Sequence, residues 1–168
     1  MATDDGRLQI TRNGGDSWVD VTPRNLKGAQ INAIEVSPHE PGVAYIAVAG
    51  YKMNDFEPYI YKLTDFGKRW MRLDSDLPDD NFVRVVRADP EREGLLYAGS
   101  EGGLFVSFDD GDHWQSLNMN FPTVPITDLR VRQNTLIAAT QGRGFWALDE
   151  LTVIRQLNVN LSEKRLHV

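Results

Sequence analysis

Three short segments of the chain share one spacing of an Asp or Asn, a glycine and a tryptophan. In each segment the Asp or Asn is followed by Gly two residues later and by Trp three residues after that. The segments are TRNGGDSW ending at Trp18, LTDFGKRW ending at Trp70 and SFDDGDHW ending at Trp114. Repeats tens of residues long form one supersecondary unit each and stack on their neighbours. The spacing therefore predicts a row of similar units and argues against one continuous sheet.

The repeat extends well beyond the tryptophan segments. Thirteen residues after each Trp a strand-like run opens, at Ile31, Val83 and Thr127. The repeat distance is 52 residues up to Tyr45 and 44 residues from Tyr61 onward. An insertion of eight residues is therefore expected between these two tyrosines, because repeats diverge mainly in their loops.

A fourth, divergent copy closes the chain. AATQGRGFWALDE matches AGSEGGLFVSFDD at an offset of 40, but Leu151 replaces the turn glycine and Ile154 replaces the Trp. The N-terminal stretch ATDDGRLQIT matches the same segment, AGSEGGLFVSFDD, so the chain is expected to begin part-way through a repeat. It is therefore expected to be a fragment of a longer protein. The predicted units cover residues 1–22, 30–75, 82–119 and 126–157, with a C-terminal extension at 158–168.

Each full unit is predicted to contain four short strands, whereas the first unit is expected to lack strand A and most of strand B. In the third unit they fall at 83–88, 95–99, 103–108 and 114–118, where β-branched and aromatic runs are bounded by turn residues. No window shows sustained helical periodicity with caps. Four antiparallel strands in each 44–52 residues are typical of a propeller blade. The expected fold is all-β, a partial β-propeller of about four blades.

The tryptophan segments resemble the Asp-box, Ser/Thr-x-Asp-x-Gly-x-Thr/Ser-Trp, of sialidase-type, sortilin-type and xyloglucanase-type propellers. The first and third copies match most fully, and the middle copy has Leu63 and Arg69 where hydroxyl residues are expected. The matching residues are Thr11, Asn13, Gly15, Ser17 and Trp18, then Asp65, Gly67 and Trp70, then Ser107, Asp109, Gly111 and Trp114. Their expected role is structural, since the carboxylate or amide caps the turn, glycine supplies positive φ and Trp packs on the neighbouring sheet.

Longer stretches of the chain resemble large bacterial proteins of the sortilin-like, BNR-repeat "glycosyl hydrolase" group. The phrases that carry this resemblance include YIYKLTDFGKRW and GRGFWALDELTVIRQL, and it covers nearly the whole chain. The resemblance implies the C-terminal part of a propeller within a larger secreted or envelope-associated protein. It does not imply hydrolysis, because function resides in the site and not in the fold.

Composition excludes several classes of partner and cofactor. The net charge is −6 and the sequence has no basic stripe, which disfavours nucleic acid as a binding partner. No apolar run is long enough to enter a membrane. The chain has no cysteine, and its three histidines, His39, His113 and His167, show no zinc-ligand spacing. An Asp cluster at 109–112 lacks the glutamate of a calcium loop, since the twelfth position is Asn120. No metal and no cofactor is expected.

Candidate binding residues fall on the B–C and D–A loops, which leave a blade at the end opposite the Asp-boxes. Loops on a rigid scaffold often carry function, although exposed acidic residues are also common without any role. The strongest candidates lie in the predicted insertion. The set is Asp5, Tyr51, Asp55, Phe56, Glu57, Tyr59, Asp80, Glu101 and Arg143.

Two functions follow from this placement. The first is a non-catalytic binding or scaffold module for a protein or a glycan. The second is a fragment of a glycoside hydrolase similar to twin-propeller xyloglucanases, with paired carboxylates about 5–10 Å apart. A further expectation concerns assembly: an isolated arc of blades exposes two apolar faces, so two copies could pair into a ring.

Overall fold

The computed structural model describes residues 1–23, 26, 28–117 and 121–157. The predicted extension at 158–168, with His167, lies outside these residues, as does Asn120. Two short 3-10 turns lie at Tyr51–Met53 and Asp65–Gly67. The strands and the one α-helix of the described residues are β1 (Gln9–Ile10), β2 (Val19–Asp20), β3 (Gln30–Val36), β4 (Ala44–Gly50), β5 (Asp55–Thr64), β6 (Arg69–Arg72), β7 (Val83–Ala88), β8 (Leu96–Ser100), β9 (Gly103–Ser107), β10 (Gln115–Ser116), β11 (Ile126–Arg132), β12 (Thr135–Thr140), β13 (Phe145–Leu148) and α1 (Leu151–Gln156).

The strands form four separate antiparallel sheets, which confirms the predicted all-β class. Sheet 1 contains β1 and β2, sheet 2 contains β3 to β6, sheet 3 contains β7 to β10, and sheet 4 contains β11 to β13. Within each sheet, consecutive strands along the chain are hydrogen-bonded neighbours. Each sheet is therefore an up-and-down meander with its loops at two opposite ends.

The sequence repeat reappears in the backbone hydrogen bonds. At the end of the last strand of each of the first three sheets, one N–H donates to a carbonyl oxygen of the preceding strand. These bonds join Val21 to Leu8 at 2.9 Å, Leu73 to Ile60 at 2.8 Å and Leu117 to Leu104 at 2.8 Å. The pairs are spaced like the tryptophans, so sheets 1 to 3 repeat the same local geometry.

The core lies between sheets, because side chains alternate across each strand and both faces of the central sheets are covered. Between sheets 1 and 2 the buried residues include Leu8 and Ile46. Between sheets 2 and 3 they include Ile60 and Phe105. Between sheets 3 and 4 they include Tyr97, Leu129 and Leu136. Packing of sheet on sheet therefore holds the arc together.

The last repeat ends in a helix where no helix was predicted. Leu151 and Ile154, which replace the turn glycine and the tryptophan, are both buried on one face of α1. The Arg155 Nε lies 3.0 Å from each carboxylate oxygen of Asp89, a fully buried side chain in sheet 3's first turn. Asn134 accepts from the first helical N–H groups. A long-range ion pair thus takes the place of the local hairpin turn.

Candidate functional site

The first tryptophan hairpin is held by side-chain hydrogen bonds inside its turn. The Asn13 Oδ1 accepts the Ser17 N–H at 3.0 Å and the Thr11 hydroxyl at 2.9 Å. The Thr11 Oγ1 also accepts the Gly15 N–H at 2.9 Å. Gly15 has φ of 108°, which a side chain would strain. The turn is closed within itself and leaves these polar atoms engaged.

The third hairpin repeats this network with a carboxylate. Ser107 donates to the Asp109 Oδ1 at 2.8 Å, and the Gly111 N–H donates to Ser107 at 2.8 Å. His113 occupies the position of Ser17 and lies 2.7 Å from the Asp109 Oδ2 through its Nδ1. The hydrogen bond that the His113 imidazole donates to the Asp109 carboxylate raises the pKa of His113. Imidazole therefore takes the place of the hydroxyl group.

The middle hairpin keeps the turn without the hydroxyl network. Phe66 and Gly67 have φ of 57° and 87°, and the corresponding residues of the third hairpin, Asp110 and Gly111, also have positive φ. Asp65 forms a 3.3 Å ion pair with an arginine four residues later. The turn geometry is thus independent of the hydroxyl positions.

The three tryptophans do not share one environment. Trp114 is buried and donates its indole N–H to the Leu73 carbonyl of sheet 2 at 2.6 Å. Trp70 is half-buried beside the cluster between sheets 1 and 2. Trp18 is 46% exposed, so the expectation that every tryptophan buries against a neighbouring sheet is wrong at this position. Trp18 lines a hollow together with Ile10, Ile34 and Val36 of sheets 1 and 2.

The opposite end of the arc carries an aromatic cluster built by the insertion. We call Tyr51, Phe56 and Phe82 the aromatic rim. The rings of Tyr51 and Phe82 stack with centroids 5.4 Å apart, and Phe56 lies 6.4 Å from Phe82. Phe82 is buried, whereas Tyr51 and Phe56 are 40% and 41% exposed. The rim joins the inserted segment of sheet 2 to the loop that enters sheet 3.

Charged and amide groups surround the aromatic rim on the sheet 3 side. The guanidinium of Arg84 lies 5.1 Å from the centroid of the Phe82 ring and pairs with Glu101. The Asn81 Oδ1 accepts the N–H of Gly102 in the neighbouring turn. These contacts fix the D–A loop against the B–C turn of the same sheet. The rim is a supported surface and not a loose loop.

A second polar group lies along the inserted strand of sheet 2. The Tyr59 hydroxyl donates to the Asp55 Oδ2 at 2.8 Å, and burial together with this bond raises the pKa of Tyr59. Glu57 lies 3.3 Å from Arg72, which also pairs with Asp74. Burial raises the pKa of Asp74, and the Arg72 guanidinium opposes this shift without cancelling it. The carboxylates here are held by a cation or a hydroxyl.

Three of the predicted site residues stand apart from these two groups. Asp5 accepts the Thr3 hydroxyl, which lowers its pKa, and it lies 3.7 Å from Arg7. Asp80 and Arg143 are exposed. Across the described residues, no hydrogen bond, ion pair or ring contact joins Asp5, Asp80 or Arg143 to the aromatic rim.

Phe82 and Arg84 lie in and beside the aromatic rim but are absent from the predicted set. Loop position alone predicts their neighbours Asp80 and Glu101. The sequence signal for Phe82 and Arg84 is a large aromatic residue directly after a D–A loop, followed by Arg two residues later. Phe82 meets Tyr51 across 31 positions of sequence, so only the fold reveals the stacking.

The described residues contain no group of three or more side chains suited to hold a metal ion. They also contain no helix with the length and apolar character required to cross a bilayer.

Four of the five predicted carboxylates accept hydrogen bonds from protein groups or form ion pairs with them. These are the carboxylates of Asp5, Asp55, Glu57 and Glu101.

Comparison with solved structures identifies the arrangement of the sheets. A GH74 enzyme from Niastella koreensis matches 89% of the chain with a TM-score of 0.67 and 17% identity. The GH74 xyloglucanase of Xanthomonas campestris matches 89% with a TM-score of 0.66 and 20% identity. YCF48 bound to D1 peptide matches 88% with a TM-score of 0.61 and 18% identity. The fold is a β-propeller.

The propeller chain spans only part of each protein that it matches. It covers 26% of the Niastella enzyme, 25% of the Xanthomonas enzyme and 46% of YCF48. An oligoxyloglucan-reducing end-specific xyloglucanase of Emericella nidulans is 26% identical over 100 residues, which are 58% of this chain and 12% of that protein. No family model matches the sequence.

Proposed function

We propose that the chain is a non-catalytic binding module of the β-propeller class and that its ligand docks on the aromatic rim. The observation that carries this proposal is the pair of exposed rings, Tyr51 and Phe56, both held against buried Phe82. Exposed aromatic side chains on a rigid support offer apolar area with little loss of conformational entropy on binding. The Arg84–Glu101 pair beside them supplies polar contacts for orientation.

The state of the carboxylates supports binding over hydrolysis. Glycoside hydrolysis requires one carboxyl group that donates a proton and a second, free carboxylate about 5–10 Å away. Glu57 and Glu101 each pair with an arginine, and Asp55 accepts the Tyr59 hydroxyl. A carboxylate whose oxygens are engaged by a guanidinium or a hydroxyl is not free to activate water or to attack a sugar. These contacts favour a ligand surface.

The ligand class that we propose is a protein segment or a glycan. A peptide is bound in one solved propeller of similar fold, YCF48, and another similar propeller is the GH74 xyloglucanase of Xanthomonas campestris. Aromatic rings serve both ligand classes, because they pack on the apolar faces of sugars and on peptide side chains.

Binding to peptide and glycan arrays tests this function. The double variant Tyr51→Ala, Phe56→Ala is expected to lose the bound signals of the native chain. Phe66→Ala is the matched control, because Phe66 is also 40% exposed but lies in a turn at the other end of sheet 2. Loss of binding in the control, or retention in the double variant, would contradict the assignment of the site.

A second candidate function is a segment of a glycoside hydrolase. The observation that favours it is the 26% identity to the xyloglucanase of Emericella nidulans. Incubation of the chain with xyloglucan and β-glucans tests it, with Asp55→Asn as the carboxylate variant. Our proposal expects no released sugar. Hydrolysis by the native chain that disappears in Asp55→Asn would establish the enzyme instead.

We further propose that the three hairpins are Asp-boxes and that the chain belongs to a larger secreted or envelope protein of the sortilin-like, BNR-repeat group. The matched hydrogen bonds of Asn13 and Asp109 within their turns support the first part. The open reading frame around the coding region tests the second part. It is expected to encode further blades and an export signal.

A further inference from the structure

The aromatic rim lies at the loop end of the two central sheets. Its rings belong to sheets 2 and 3 and to the loops beside them, and sheet 1 packs on sheet 2 while sheet 4 packs on sheet 3. Tyr51 and Phe56 are exposed there, and Met53, in the same 3-10 turn as Tyr51, is 50% exposed. The exposed apolar area of the rim is therefore separate from the outer faces of the two terminal sheets.

One arginine of the chain shows how the rim holds a guanidinium group. The Arg84 guanidinium lies 5.1 Å from the centroid of the Phe82 ring and forms an ion pair with Glu101. The face of an aromatic ring attracts a guanidinium, and a carboxylate binds it through charge and hydrogen bonds. An aromatic ring with a carboxylate beside it is therefore a guanidinium site on this surface.

A second arginine is held in the same way along the inserted strand. The Arg72 guanidinium lies 4.7 Å from the centroid of the Tyr59 ring, and its Nη2 lies 3.3 Å from the Glu57 carboxylate. Arg72 also pairs with Asp74, so one cation serves two carboxylates. The combination of ring and carboxylate thus recurs near the rim, and it leaves an excess of negative charge.

Other carboxylates beside the rim have no cation as a partner among the described residues. Asp55 directly precedes Phe56 and accepts the neutral hydroxyl of a tyrosine. Asp79 and Asp80 are exposed, and no hydrogen bond or ion pair joins their side chains to another described residue. Asp80 is two positions before Phe82, so the Cα atoms of these two residues are at most about 8 Å apart. Exposed rings and uncompensated carboxylates therefore lie side by side.

We propose that the ligand of the aromatic rim is a peptide segment that carries an arginine next to an apolar side chain. The guanidinium packs on an exposed ring of the rim and pairs with the carboxylates beside it, as Arg84 and Arg72 do within the chain. The apolar side chain covers the remaining exposed ring. Exposed Lys52 offsets only one of the negative charges, so the surface stays complementary to a cation. This inference rests on the proposed function, because both place the ligand on the rim.

Fluorescence anisotropy with labelled peptides tests this ligand class. The probes share one glycine–serine frame with a leucine, and they differ at the next position, which is arginine, glutamine or glutamate. The native chain is expected to bind the arginine peptide most tightly and the glutamate peptide most weakly. Added salt is expected to reduce this preference, because exposed charges are screened over about 10 Å at 0.1 M ionic strength.

The double variant Asp79→Asn, Asp80→Asn removes two exposed charges and no contact between described side chains. Asparagine also tolerates the φ of 57° at position 80. The arginine peptide is expected to bind this variant about 2–5-fold more weakly, which is the effect of exposed ion pairs, and the glutamine peptide is expected to bind as it does to the native chain. Asp16→Asn, Asp112→Asn is the matched control, because it removes two exposed charges from the first and third tryptophan hairpins.

The outcomes separate this inference from the proposed function. Peptide binding without a preference for arginine, a preference that is undiminished in Asp79→Asn, Asp80→Asn, or an equal loss in the control overturns the inference and leaves the rim as the site. Binding of a xyloglucan oligosaccharide in place of the arginine peptide does the same. If the native chain binds neither probe, or if binding persists in Tyr51→Ala, Phe56→Ala, the proposed function fails as well. Far-UV circular dichroism checks that each variant is folded.

Discussion

Replacement of Trp114 with alanine removes the side chain that closes the junction between sheets 2 and 3. Trp114 is 5% exposed, and its indole N–H is bonded to the Leu73 carbonyl. Truncation of a buried aromatic residue costs about 3–5 kcal/mol, since packing is lost and a cavity is left. For a chain of this size the expected fall in melting temperature is about 6–20 °C.

The contributions of packing and hydrogen bonding are separable at this position. Trp114→Phe keeps most of the ring but leaves the Leu73 carbonyl without its donor, so we expect a cost of about 1–3 kcal/mol. Met71→Ala is the control, because Met71 is 48% exposed and surface changes typically stay within about 0.5 kcal/mol. Urea unfolding followed by circular dichroism measures all three. A loss for Trp114→Ala no larger than that of the control would refute the buried-junction reasoning.

Three further predictions concern the other turns. Arg155→Ala is expected to cost about 3–5 kcal/mol in unfolding free energy, because the buried Asp89 carboxylate loses its partner. Because the pKa of His113 is raised in the folded chain, its contact with Asp109 stabilises the fold at low pH, and this stabilisation is lost as the pH rises through the raised pKa. His113→Ser should remove this pH dependence. Melting curves recorded from pH 5 to pH 9, roughly the range of histidine titration, measure it. Ser107→Ala should cost about 1–3 kcal/mol by urea titration, since a buried turn N–H loses its acceptor.

The hairpins and sheets were predictable because their determinants are local. A glycine at positive φ, such as Gly111, and a polar cap four residues before it specify a turn within a few residues. β8, which is buried along its whole length, follows from a short apolar run bounded by turn residues. Because this turn pattern recurs at fixed distances along the chain, the sequence alone predicts several similar sheets.

The missed features depend on residues far apart in sequence. Helix α1 has only six residues, too few for a helical period to stand out, and its Arg155 is anchored by Asp89. The role of Phe82 emerges only when its ring meets Tyr51. Trp18 carries the same motif as Trp114 but is 46% exposed, so the motif alone does not specify burial of its tryptophan.

The junctions between neighbouring sheets hold the arc together without Trp18 or Phe145. Each of the three buried clusters lies between two sheets of the same copy. The junction of sheets 3 and 4 also carries its own ion pair, Arg155 with Asp89. Trp18 and Phe145 belong to none of these clusters. A charge placed at either position is therefore expected to leave the unfolding free energy within about 0.5 kcal/mol of the native value, as is typical of surface changes. Trp114→Ala, by contrast, should lower it by about 3–5 kcal/mol, and urea unfolding followed by circular dichroism measures both.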